Sequence, residues 1–271
     1  MTIKVRTKFT FAIFVISLTT FLVYLSFLIY EISTSTLKFP EVYFTSKPRN
    51  NLIFGYNNIV MLSFIFVELL YVIVTTFLIY RGFSKTQSSI VLGFLIFILA
   101  IYMDTFRIFI PFFHISNSFS KIQLLIGNIT LFARILALLS LLMTAILHFD
   151  EQTINVNRYC IALIFLSILL ATVIPLNTTK ILPTYLVAHS YSKTINIIST
   201  TLCFLSFVSV LVSNYKNESK QLTSIGFFMV CIGFLLLFYS YSLFFLTITF
   251  IFTGFGSAIF LHELHKEYML K

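Results

Sequence analysis

The sequence predicts an all-α fold: a polytopic membrane helical bundle of about eight transmembrane helices, with the N- and C-termini cytoplasmic. Three observations predict it. Of 271 residues, 59% are hydrophobic and 10% charged, with mean hydropathy +1.00, whereas an ordinary soluble domain carries about 25% charged residues. Apolar runs long enough to cross roughly 30 Å of hydrocarbon as helices recur along the whole chain. The links between them are short and polar, without the alternating strands of a membrane barrel.

Residues 1–271 read as a single integral-membrane domain. Helix 1, residues 9–30, follows Lys4, Arg6 and Lys8. Its start is basic like a signal peptide's, but the run is too long for an h-region and lacks a small-residue cleavage site, so it is retained. A polar segment with Pro40, Pro48 and an aromatic patch over 39–44 follows, and is expected to lie partly on the membrane surface. Helix 2, residues 58–80, carries Glu68 near its middle, and Arg81-Gly-Phe-Ser-Lys85 is a tight basic turn. Helix 3, residues 88–113, carries Asp104 and Arg107 one helical turn apart.

After a link with His114 and Lys121, helix 4, residues 122–149, carries Asn128 and Arg134. Helix 5, residues 159–176, ends at Pro175, and a link with Pro183 and His189 leads to helix 6, residues 192–215. The last apolar stretch, from Leu222 to Leu261, would be about 60 Å long as one helix, twice the hydrocarbon core. It must break near Tyr239-Ser-Tyr-Ser242, giving helix 7, residues 222–239, and helix 8, residues 242–262.

Lysine and arginine orient the chain. Threaded with the N-terminus inside, ten lie on the cytoplasmic side and six outside, with Arg107 and Arg134 within spans. The cell membrane, crossed several times, is the expected location. The net charge of +9 is scattered singly between apolar runs, which fits lipid headgroups and does not suggest nucleic acid. Cys160, Cys203 and Cys231 lie far apart inside apolar runs, with neither metal-ligand nor disulfide spacing. No motif calls for a cofactor, and no Gly-rich phosphate loop occurs.

The candidate site is the set of polar groups inside helices 2–4. Counted from the outer ends, Asn128 and Arg107 lie about six residues deep, Asp104 about nine, Glu68 about ten and Arg134 about twelve. Four unpaired charges would cost about 10 kcal/mol in the membrane, as much as a typical protein's stability. Pairing is therefore expected, with Glu68 and Asp104 holding Arg134 and Arg107. The stripes Phe64–Glu68–Tyr71–Thr75, Gly93–Phe97–Ala100–Asp104–Arg107–Pro111 and Gly127–Arg134–Ala137–Leu141–Ala145–His148 are expected to face one another. Such a cluster either fixes helix register or opens outward as a pocket for a small anion or lipid headgroup.

Three function classes follow. The first is a ligand-, lipid- or partner-binding module, acting as a sensor, receptor or accessory subunit, whose partners are the bilayer, a small anion or lipid headgroup, or another membrane protein. The second is a small-solute or ion transporter or channel using the same cluster. Last comes a membrane-embedded enzyme built on the inner-face groups His148, Asp150, His262 and His265; HExxH spacing is absent from them. The last two spans hold no lysine, which excludes a retinal Schiff base. Gly254-Phe-Gly256-Ser-Ala258 reads as close packing of helix 8.

Overall fold

The computed structural model describes residues 3–34, 39–44, 53–83, 88–113, 120–149, 156–215, 221–239 and 241–269. Helices dominate: α1 Ile3–Ser33, α2 Asn58–Phe83, α3 Ser89–Phe112, α4 Ser120–Phe149, α5 Val156–Val173, α6 Ser192–Asn214, α7 Gln221–Leu236 and α8 Leu243–Met269. Seven are long and apolar enough to cross a membrane. The eighth, α7, has 16 residues, about 24 Å of helix; the 3-10 turn Leu237–Tyr239 extends its path to roughly 30 Å.

Six helices form a ring in the order α2, α3, α4, α6, α7, α8, with α8 returning to α2. Its centre is filled by phenylalanine: Phe94 of α3 meets Phe260 of α8, and Phe97 of α3 meets Phe234 of α7, at ring-centre distances of 5.2 and 5.8 Å. Burial follows position. In the most apolar stretch of α3 and of α4, 78% and 72% of residues are buried, against 17% in α1 and 11% in α5. Those two outer helices present Phe11, Leu22, Ile161 and Phe165 outward. A helix that is apolar all round yet half uncovered needs an apolar medium or a partner outside it.

Helices α7 and α8 approach most closely. A Cβ on Gly226 would lie 2.7 Å from the Phe260 amide nitrogen, and one on Gly256 would lie 2.8 Å from Met229 Cβ, so hydrogen is the only side chain that fits either crossing. Gly254, expected to share this packing, faces open space instead.

The fold corrects several sequence expectations. Helix α1 runs over 31 residues and α8 continues to Met269, both longer than expected, while α5 stops at Val173, before Pro175. Arg6, expected at lipid headgroups, is buried and donates to the carbonyls of Phe83 and Ser88, at 2.6 and 3.0 Å. It thereby ties α1 to the corner between α2 and α3. The link expected between helices 5 and 6 is a β-hairpin, β1 Leu176–Ile181 and β2 Val187–His189, antiparallel with an irregular register. The 39–44 segment lies against that hairpin, Val42 bridging to Ile181 and Lys180 sitting 4.3 Å above the Tyr43 ring. The bundle therefore has a hairpin end and, opposite it, a terminal end.

Candidate functional site

Pro111 shapes the site from four residues away. It has no N–H to give the Arg107 carbonyl, and its ring crowds that oxygen. Just upstream the helix tightens into a 3-10 turn over Thr105–Ile108, steadied by Thr105 Oγ1 donating to the Tyr102 carbonyl at 2.7 Å. Side chains three apart eclipse in such a turn. Arg107 Nη1 accordingly stands 3.5 Å from Asp104 Oδ2.

The neighbouring helices complete a chain of charges. Arg107 Nη2 donates to Glu68 Oε2 of α2 at 2.6 Å. From α4, Arg134 grips Asp104 side-on, Nε to Oδ1 at 3.1 Å and Nη2 to Oδ2 at 3.3 Å. Its guanidinium lies 4.7 Å over the Phe238 ring, and that of Arg107 lies 5.7 Å from Phe64. The order is thus Glu68–Arg107–Asp104–Arg134, with two negative and two positive charges. None of the four residues is more than 7% exposed, so each charge depends on its partners and not on water.

A lid closes this chain at the hairpin end. In the 182–186 turn, Thr184 presents its carbonyl to Arg107 Nη1 at 3.3 Å. Tyr185 is fully buried with φ 56°, a left-handed conformation costing a bulky residue about 1–2 kcal/mol. Its backbone N–H donates to the Leu182 carbonyl, and its hydroxyl reaches Asn58 at the start of α2. Ile181 and Val187 pack on Ile110 and Ile126. On α4 the hairpin sits so near the backbone that a Cβ on Gly127 would lie 2.8 Å from Leu176 Cδ1 and 3.0 Å from Val187 Cβ. His189, in β2, is half-buried; burial first and the charge of Arg134 second hold its imidazole below the usual histidine range.

Four of the five expected site residues come together, and Asn128 does not. It is half-buried and takes no part in the chain, because depth was right and direction was not. Six residues from Arg134 amount to about 240° around a helix, whereas Gly127, seven away, returns to the same face. The expected outward pocket is covered by the lid in this conformation. What remains beside Glu68 is a cavity of about 20 Å³, reached by Tyr71, Leu237 and Thr253, room for about one water molecule. Two atoms of the chain, Glu68 Oε1 and Arg107 Nε, are buried without a hydrogen-bond partner.

The inner-face histidines do not assemble. His148 Nε2 stands 2.9 Å from Asn214 Oδ1 of α6, while His265 on α8 meets the Phe83 ring at 5.5 Å. Asp150 lies outside the described residues. Among the described residues, no three His, Cys, Asp or Glu side chains are placed to share a metal ion. No protein-family model, curated protein or solved structure matches the chain.

Proposed function

We propose that the protein is a multi-pass protein of the cell membrane, with eight spans and both termini in the cytoplasm. Seven helices long and apolar enough to cross support this, as does the excess of lysine and arginine, ten against six, on the side to which the sequence threads both termini. Within it, the charge chain and its lid form the binding element of a sensor, receptor or accessory subunit.

The observation that carries this reading is Arg107, wholly buried, dividing its donors between Glu68, Asp104 and the lid carbonyl of Thr184. Buried ion networks are a weak source of stability, since well-packed apolar side chains hold helices at least as firmly. A network tied to a strained lid acts instead as a latch. A small anion or lipid headgroup arriving at the hairpin end takes the place of the carbonyl, because the planar guanidinium pairs equally well with carboxylate or phosphate. The lid then loses its tie to the chain. Native mass spectrometry from mild detergent tests this on the wild type and Arg134→Leu. An anion, lipid or partner retained by the wild type and lost from the variant is expected; identical retention overturns the reading.

Transport is a second reading, favoured by the unpartnered Glu68 Oε1 and the water-sized cavity beside it. Flux through the reconstituted protein that ignores both Glu68→Gln and Asp104→Asn rules it out.

A further inference from the structure

The terminal end holds a larger space. Between the last turns of α2, the start of α7 and the second half of α8 lies an open groove of about 580 Å³, within the roughly 300–1,000 Å³ of small-molecule sites. We infer that it binds one anionic phospholipid of the adjoining leaflet. The inference rests on the membrane placement proposed above and not on the role of the charge chain.

The groove is amphipathic along its length. Leu78 and Phe83 of α2, Leu222 of α7, and Ile259 and Leu261 of α8 make its apolar walls. Towards the terminal end, α8 contributes His262, Glu263 and His265. From Ile259 to Lys266 the helix advances roughly 10 Å, so the wall passes from hydrocarbon-like to polar over about the depth of a headgroup region. Exposed Arg81 and Lys266 directly adjoin the lining residues Gly82 and His265 in sequence. Glu263 and the half-buried Glu267 set two negative charges against these two, so the positive excess comes from the wider terminal end. An acyl chain fits the deep part and a phosphate the rim.

His265 sharpens the assignment. Its Nδ1 is buried with no hydrogen-bond partner, and it forms part of the groove wall. It stands 3.8 Å from where a Cβ on Gly82 would be. Gly82 thus leaves only about a methyl's width beside an unsatisfied polar atom of the groove wall, a nitrogen that a phosphate or ester oxygen is suited to satisfy. A partner helix fits less well. The small lining residues Gly82 and Ala258 stand on different helices, so no single face offers the small-residue ridge that helix pairing uses. Among the described residues, Lys4, Lys8, Arg81, Arg158 and Lys266 are the exposed basic side chains of the terminal end, as expected for contact with an anionic leaflet.

The test uses full-length protein, stripped of lipid and given an equimolar mixture of phosphatidylglycerol and phosphatidylcholine, with bound lipid read by native mass spectrometry. The wild type is expected to retain one phosphatidylglycerol with at least a tenfold preference. Gly82→Leu, whose Cβ meets only an ordinary contact, is expected to lower occupancy tenfold or more at unchanged melting temperature. Ala258→Leu repeats the test from the other wall should Gly82→Leu fail to fold. Arg81→Gln and Lys266→Gln are each expected to keep the lipid but cut the preference about fivefold. No retained lipid, equal retention of both lipids, or full occupancy in both groove-filling variants overturns the site. Alkaline carbonate extraction separates the two failures: protein washed off membranes defeats the membrane reading, whereas protein that stays but shows no preference defeats the lipid site alone.

Discussion

The two ends of α2 treat polar side chains in opposite ways. Near the hairpin end, Glu68 sits beside about 20 Å³ of space and is held by Arg107 under a lid. Near the terminal end, Gly82 opens onto about 580 Å³ bordered by two histidines. The closed end has to satisfy its charges internally, so each one lies beside an opposite charge from a neighbouring element or the same turn. At the open end His265, like Glu68 and Arg107 at the closed one, keeps a buried nitrogen or oxygen unsatisfied, but the basic residues beside the groove, Arg81 and Lys266, are exposed. Closure converts charge into a structural tie, while an opening leaves it free to recognise something else.

The sharpest way to break this contrast is at Arg107. Arg107→Met leaves Glu68 with no cation and the Thr184 carbonyl with no donor, and a destabilisation of about 3–5 kcal/mol is expected, read from the unfolding midpoint in detergent. Glu68→Gln keeps an acceptor for Arg107 and leaves the Asp104 fork in place. Its expected cost is smaller, about 1–3 kcal/mol in the same assay; equal losses in the two variants contradict the order of the chain.

A pH series probes the lid. The His189 imidazole is held below the ordinary value of 6.5 in the folded protein, by burial and then by Arg134. The unfolded chain therefore takes up the proton first as pH falls. Its contribution to stability is complete above about pH 6.5 and declines below it, by at most about 1.4 kcal/mol per pH unit. The slope is expected to flatten in His189→Gln, as measured by the melting temperature between pH 7.5 and 5. Smallest of all is Gly82→Leu, expected within about 0.5 kcal/mol of the wild type, because the open end has room for a side chain. A large loss there shows that the groove is a packed seam.

Much of this was legible in the sequence. Rise per residue places Glu68, Asp104, Arg107 and Arg134 at overlapping depths, and the cost of unpaired charge in an apolar interior makes their meeting an economical outcome. The stripes that carry them are buried almost throughout. Direction was harder than depth, as Asn128 shows. The hairpin was missed because Leu176–Ile181 carries no apolar–polar alternation, its strand signal being limited to the β-branched Thr178, Thr179 and Ile181. Six residues beside Pro183, between two long apolar runs, read more readily as a link. The 3-10 turn at Thr105–Ile108 had a visible cause in Pro111, but its effect on Asp104 and Arg107 appears only when the backbone is traced. Thr184 carried no signal, since it contributes a carbonyl that any residue could supply.

The central claim is that Arg107 holds the lid on the charge chain. Hydrogen–deuterium exchange of the wild type and Arg107→Met in the same detergent tests it most directly, resolved over residues 176–189. Faster exchange in the hairpin, with α3 and α4 still protected, is the result expected if the guanidinium is the latch. Unchanged hairpin protection in a folded Arg107→Met variant contradicts the claim.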